Sequence, residues 1–223
     1  MMLECEARLG LVKAVMTTRL RKRPVQARSR KRFEAILDAA AEQFAVHGLD
    51  KTTMDAIAAA AGTSIGSVYQ YFPDKDAVFL ALAERVLERS RELFDALIPA
   101  MEAARPPWET LLDRVVEGFA LITRDASVRA VWRNLQLHGE VAEADAALHE
   151  ELIVRTTEIL SWYAPAASPE ARRAVATMTV DVVGAVLFIG ILRDDERTPR
   201  MREELRLLLQ RYLEPWIAEH QSR

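Results

Sequence analysis

Gly62-Thr63-Ser64-Ile65-Gly66 sets a serine between two glycines in the G-x-S-x-G order of a hydrolase nucleophile elbow. An elbow needs a buried β-strand ahead of it, so that the serine stands on a sharp strand-to-helix turn. The residues ahead are the alanine run Ala58 to Ala61, which favours a helix. No alternating strand pattern surrounds the serine, so no catalytic residue is assigned and no enzyme is expected. The same residues fit a different chemistry. Gly62-Thr63 is a tight turn, and Ser64 is a helix N-cap. The first half of the helix that follows offers Thr63, Ser64, Ile65, Gly66 and Ser67 to base-pair edges. Ser64 and Ser67 can hydrogen-bond bases or phosphates, Ile65 can touch a thymine methyl, and Gly66 permits close approach.

The flanking elements must hold that short helix. Apolar residues Phe33, Ile36, Leu37, Ala40, Ala41 and Phe44 recur at helical spacing from about Gln26 to His47, with Gly48 as C-cap. Thr52 and Asp55 match a capping box, which starts a short helix that buries Met54, Ile57, Ala58 and Ala61. The reading helix is expected from Ile65 to about Phe72, where Pro73 stops it. Asp74 then caps a long helix ending near Pro99. Thr52 and Thr53 stand at a helix N-terminus, a natural phosphate site. Lys75 opposes the dipole at the start of the long helix, and a phosphate would compensate it. Gln70 either reads an adenine or is solvated. Tyr69 is placed on the DNA side, with Val68 and Phe72 in the core.

These residues form a pattern. Ile36-Leu37-Asp38-Ala39-Ala40, Phe44, Gly48, Thr52-Thr53-Met54, Ile57-Ala58, Ala61-Gly62, Ser64, Gly66-Ser67-Val68-Tyr69, Tyr71-Phe72 and Asp74-Lys75 closely resemble the N-terminal domain of the TetR/AcrR family of bacterial transcriptional repressors. The resemblance covers roughly residues 28–80. It implies an all-α fold, a three-helix helix-turn-helix DNA-binding domain followed by a larger helical effector and dimerisation domain. It also implies that Thr53, Ser67, Tyr69, Tyr71 and Lys75 meet phosphates or bases, and that the last two helices pair two subunits.

The totals agree with this division. Of the 223 residues, half are hydrophobic and only 8 are Gly and 9 Pro, which favours helices over turn-rich sheets. Net charge is −3, yet residues 1–75 carry 12 Lys/Arg against 8 Asp/Glu, while residues 76–223 carry 18 against 25. A basic front on an acidic body suits a chain whose front alone meets a polyanion. The single Cys5 excludes an internal disulfide and fits a reducing cytoplasm. The basic cluster follows the first apolar patch, the wrong order for a secretory signal. The longest uncharged apolar run, Val182 to Leu192, is too short to span a bilayer as a helix. A cytoplasmic protein without a membrane partner is expected.

Three segments are therefore expected: a flexible basic tail over 1–25, a DNA-binding domain over 26–74, and a ligand-binding and dimerisation domain over 75–223. No acid lies between Glu6 and Glu34, so the tail is either a solvated arm or one that contacts DNA. In the body, Phe119, Trp132, His138, Met178, Asp181 and Phe188 are candidate lining for an effector pocket. Asp181, a carboxylate inside an apolar run, pairs across an interface, recognises a ligand, or reaches solvent. His138 and His149 are too far apart along the chain to hold one ion between them, and no metal or other cofactor is expected. The expected partners are a palindromic DNA operator, a small-molecule effector and a second copy of the chain.

Overall fold

The structure, a computed structural model, describes residues 20–21, 24–122, 124–135, 138–193 and 198–221. Most of the expected tail lies outside the described residues, as does Leu137, and the side chain of Phe119 lies outside the described side chains. Among the described residues the regular elements are all α-helices: α1 (Ala27–His47), α2 (Met54–Ala60), α3 (Ile65–Tyr69), α4 (Lys75–Ala104), α5 (Trp108–Ile122), α6 (Ala126–Arg133), α7 (Gly139–Tyr163), α8 (Pro169–Arg193) and α9 (Thr198–His220). They group into two compact units. One takes the described residues up to Arg91 together with Asp125–Ala147, and the other takes Glu92–Arg124 and Leu148–Arg223. The division thus falls inside α4 and α7, not at residues 74/75.

The first unit is built on α1. Ile36, Leu37, Ala40 and Phe44 are fully or almost fully buried, which is the stripe the sequence spacing sets out. Gly48 closes the helix at φ 80°, its N–H donating 3.0 Å to the carbonyl of Phe44. Helix α1 packs against α2 and α6. Phe33 stacks on Phe72 at 5.0 Å, and Phe44 meets Phe79 edge-on at 6.1 Å. His138 stacks on Phe79 at 4.7 Å. Arg85 of α4 joins three helices: its guanidinium donates to Glu34 and Asp38 on α1 and, 3.1 Å away, to the Ser127 hydroxyl on α6. Arg133 of α6 adds a bond of 2.9 Å to the Ala45 carbonyl.

The second unit gathers α5, α8 and α9, with α9 packed on both others. Ile153, Leu160, Val175, Ala176, Leu213 and Ile217 form its buried cluster. The Tyr163 hydroxyl donates 2.6 Å to the Pro106 carbonyl, and burial pushes this phenol above its ordinary value.

Several boundaries differ from those expected. Helix α4 runs through Pro99 to Ala104. A proline removes one ladder bond but does not stop a helix whose neighbouring turns continue. The apolar spacing of Val128, Val131, Trp132 and Leu135 predicts a helix ending near Gly139, yet Gly139 opens α7. Helix α3 ends at Tyr69, three residues before Phe72.

Candidate nucleic-acid interface

Helices α2 and α3 meet through a Schellman turn. Gly62 sits at φ 61°, its N–H bonding the Ala59 carbonyl at 3.1 Å, while the Thr63 N–H bonds the Ala58 carbonyl at 3.0 Å. A Cβ at Gly62 would meet nothing within 4 Å, so the demand for glycine is one of backbone angle, not of space.

Ser64 then opens α3. Its hydroxyl accepts from the Ser67 N–H at 3.2 Å and lies 2.9 Å from the Ser67 hydroxyl. Ser64 and Gly66 are exposed, Thr63, Ile65 and Ser67 are half-buried, and Val68 is buried. The helix therefore turns Val68 inward and leaves its first turn outward. Gly66 also has open space where a Cβ would project. The protein's own packing gives no reason for a glycine there, although glycine costs a helix about 1 kcal/mol relative to alanine. An approaching surface would supply that reason. Tyr69, the last residue of α3, and Gln70, its C-cap, are exposed as well.

Two expected contacts are corrected. Thr52 is not the cap of α2 and does not face outward. It is buried, its hydroxyl donating 2.8 Å to the Gly48 carbonyl and 3.3 Å to that of Gln43. It ties the start of α2 back to the C-terminal end of α1 and its cap. Thr53 is the cap, in extended conformation with its hydroxyl accepting from the Ala56 N–H at 3.1 Å. With Ala56 at the third helical position, no reciprocal capping box forms.

Tyr71 is the second. It is 4% exposed, its ring edge-on to Phe33 at 5.6 Å and its hydroxyl 2.9 Å from that of Ser29. The short α3 is the cause. The Tyr71 and Phe72 N–H groups both bond the Val68 carbonyl, so the chain turns back and carries both rings onto α1.

Lys75 stands at the first turn of α4. Its ammonium donates 3.0 Å to the Asp50 carbonyl, which ties the loop after α1 to this helix. Asp74 caps α4, accepting from the Ala77 N–H at 2.7 Å. Both cap assignments made from sequence for Ser64 and Asp74 coincide with hydrogen bonds in the structure.

The six residues expected to line a pocket do not gather in one unit. Trp132 and His138 belong to the first, and Phe119, Met178, Asp181 and Phe188 to the second. Met178 is 51% exposed, which is a surface position on α8. Asp181 is exposed and bonded to His149 at 2.8 Å, the solvent-facing outcome among those open from sequence. A cleft not foreseen from sequence lies in the first unit. It measures about 520 Å³ and is floored by alanines of α1, α2 and α6, with Asp38, Glu42, Arg89, Asp125 and Ser127 at its walls. The signal for it was present as Ala35, Ala39, Ala60 and Ala61, small side chains that leave space between helices.

Comparison with known proteins gives two family matches. Residues 36–82 match the profile described as bacterial regulatory proteins, tetR family, and residues 107–213 match a tetracyclin repressor-like C-terminal domain. The HTH-type transcriptional repressor Rv1474c of Mycobacterium tuberculosis is 38% identical over 89 residues, which is 38% of this chain and 48% of that protein. The chain spans about half the length of the curated relatives it matches first. The fatty acid degradation regulator FadR from Bacillus halodurans superposes with a TM-score of 0.63 at 20% identity, covering 84% of this chain and 96% of that one. A gamma-butyrolactone receptor described as ArpA-like superposes with a TM-score of 0.60 at 23% identity, covering 82% and 88%. At these identities the two structures share the fold.

Proposed function

The chain belongs to the TetR/AcrR family of bacterial transcriptional regulators, and from that premise we propose that it is a homodimeric, ligand-responsive repressor that releases its operator when a small molecule binds the C-terminal body. The observation that carries the DNA-binding part is the first turn of α3. There Ser64 and Gly66 are exposed and Thr63, Ile65 and Ser67 half-buried, with open space at Gly66. Thr53, Tyr69, Gln70 and Lys75 are proposed to extend this contact. None of the side chains on α3 is a bidentate arginine or asparagine reader, so half-site spacing and DNA shape supply much of the selectivity.

Two copies are proposed to pair through α8 and α9. Among the described residues, five of the eight exposed large hydrophobics lie on these two helices: Met178, Ile189, Met201, Leu208 and Tyr212. Met178 and Ile189 are three turns apart on one face of α8, and Met201, Leu208 and Tyr212 form one stripe along α9. Residues Pro169–Gly190 have the length and hydropathy of a membrane span, but Arg172, Arg173 and Asp181 interrupt them. A second subunit, with polar groups of its own, suits that mixture better than lipid.

The effector is proposed to act from the body defined by the match over 107–213. It must bind the DNA-incompetent arrangement more tightly, since only differential affinity shifts the balance. Genome-wide footprinting with the purified protein should return a few palindromic sites, and a metabolite screen against such a site should find a compound that releases it. Protection without any sequence preference would defeat the repressor reading.

Two substitutions probe the interface. Lys75→Ala should weaken binding to every duplex and make the log–log salt dependence shallower by about one. A changed base preference at an unchanged slope would remove Lys75 from the phosphates. Ser64→Ala removes the α3 cap and should cost about 1 kcal/mol of stability, with weaker operator binding and no change in ester hydrolysis. Intact DNA binding alongside loss of a substantial esterase turnover would favour the enzyme reading instead.

A further inference from the structure

Beside the uncharged α3, a cationic element stands at the same edge of the first unit. Arg21 precedes α1 by several residues, yet it is joined to the end of the reading helix. Its backbone N–H donates 2.9 Å to the Tyr71 carbonyl, and its guanidinium donates 3.3 Å to the Tyr69 carbonyl. The side chain is exposed, and a guanidinium carries five N–H donors, so one bond to Tyr69 leaves most of them for other acceptors. The start of α1 is drawn to the same place. The Ser29 hydroxyl lies 2.9 Å from that of Tyr71, so the first turn of α1 rests on the residue whose carbonyl holds Arg21. Arg28 precedes Ser29, and Arg32 lies one turn on from Arg28 on the same face of α1; they are exposed and half-buried respectively. Arg30 bonds the Val25 carbonyl at 3.1 Å and so fixes the connection leading into the helix.

We propose that Arg21, held at the C-terminal end of α3, joins Arg28 and Arg32 in a second DNA contact, a grip on backbone phosphates beside the groove that α3 enters. The inference rests on the DNA-binding reading given above. It assigns the basic segment ahead of α1 a fixed place on the reader. The physical reason is economy of ordering: the two bonds from Arg21 hold the cation beside the reader before DNA arrives, so little freedom is lost on binding. The recipient is a phosphate rather than a base edge. Arg21 sits on the end of α3, Arg28 and Arg32 belong to the first turns of the helix whose Ser29 meets Tyr71, and no acid in the sequence lies between Glu6 and Glu34.

The test uses the full chain and a mixed-sequence DNA duplex, because phosphate contacts do not depend on sequence. Fluorescence anisotropy over a range of salt concentrations reads both affinity and slope. Arg21→Ala should bind several-fold more weakly at low salt, with a log–log slope shallower by about 0.9, the share of one phosphate. Its melting temperature should match the wild type, and Arg21→Lys should keep the wild-type slope. An unchanged slope in Arg21→Ala overturns the inference. If affinity fell at that unchanged slope, Arg21 would only cap α3 through the Tyr69 carbonyl. A wild-type protein that footprints a defined genomic site while Arg21→Ala keeps its slope leaves the repressor reading standing and removes this one. A wild-type protein that binds no duplex removes both.

Discussion

Replacing Phe72 by Ala is expected to lower stability by about 3–5 kcal/mol and to abolish operator binding at physiological temperature. Phe72 is fully buried and stacks on Phe33 of α1 at 5.0 Å, with the Tyr71 ring 6.2 Å away. It also lies three residues past the end of α3, its N–H bonded to the Val68 carbonyl at 3.0 Å. The cavity would therefore open where the reading helix is fastened to α1. Folded proteins hold only about 5–15 kcal/mol in total, so a loss of this size removes a large part of the margin. Tyr71→Phe should be far milder. It keeps the ring on Phe33 and deletes the hydroxyl bonded to Ser29, a change of about 1 kcal/mol. Urea unfolding followed by circular dichroism separates the two variants, with a gel shift on the operator as functional readout. If Phe72→Ala unfolded at the wild-type midpoint, the junction described between α1 and α3 would be wrong.

The contrast between these adjacent aromatics shows where a sequence can and cannot be read. Punctuation was legible. Gly48, Gly62, Ser64 and Asp74 act through backbone angle or through bonds to residues two to four away, and all four end or cap helices as their types predict. Thr52 and Thr53 were not separable, because both can cap. The choice fell to the end of α1, whose carbonyls Thr52 serves from nine and four residues away in the chain. Tyr71 was misplaced for a related reason. Its side depends on α3 stopping at Tyr69, which the expected helix to Phe72 did not include. Pro99 misled by the opposite route, since a local rule for stopping helices was applied where the helix continues to Ala104.

Arg85 was invisible for a stronger reason. In sequence it is one more arginine on a long helix. In the structure its side chain is only 9% exposed and holds Glu34, Asp38 and Ser127, residues more than forty positions away in either direction. The pairing of Glu34 and Asp38 at i, i+4 marks one acidic face of α1, but nothing local says which cation meets it. The pocket candidates rest on the same kind of local signal. Large apolar or aromatic type in a helical stripe identifies a buried or interfacial face, and it does not say which faces converge. Met178 illustrates this, being exposed on the stripe that is proposed to meet a second subunit.

That stripe gives the other large effect. Leu208→Glu is expected to convert the proposed dimer to a monomer, raising its dissociation constant on the order of a thousandfold, or about 4 kcal/mol. Helix α9 carries two stripes. Leu205, Leu209, Leu213 and Ile217 are buried within the unit, while Met201, Leu208 and Tyr212 are exposed. Leu208 is 52% exposed, so a glutamate there keeps its water in the isolated subunit and leaves that subunit folded. In a two-fold interface each change is made twice, on self-complementary surfaces. Burying two unpaired carboxylates in an apolar interface costs several kcal/mol. Sedimentation would then give half the wild-type mass, with an unchanged far-ultraviolet spectrum. Operator affinity should collapse with it, because a single reading helix of one turn contacts one half-site, and recover in part at protein concentrations that restore pairing. A Leu208→Glu protein that sediments as the wild-type dimer would place the subunit interface elsewhere, and the apolar faces of α8 and α9 would need another occupant.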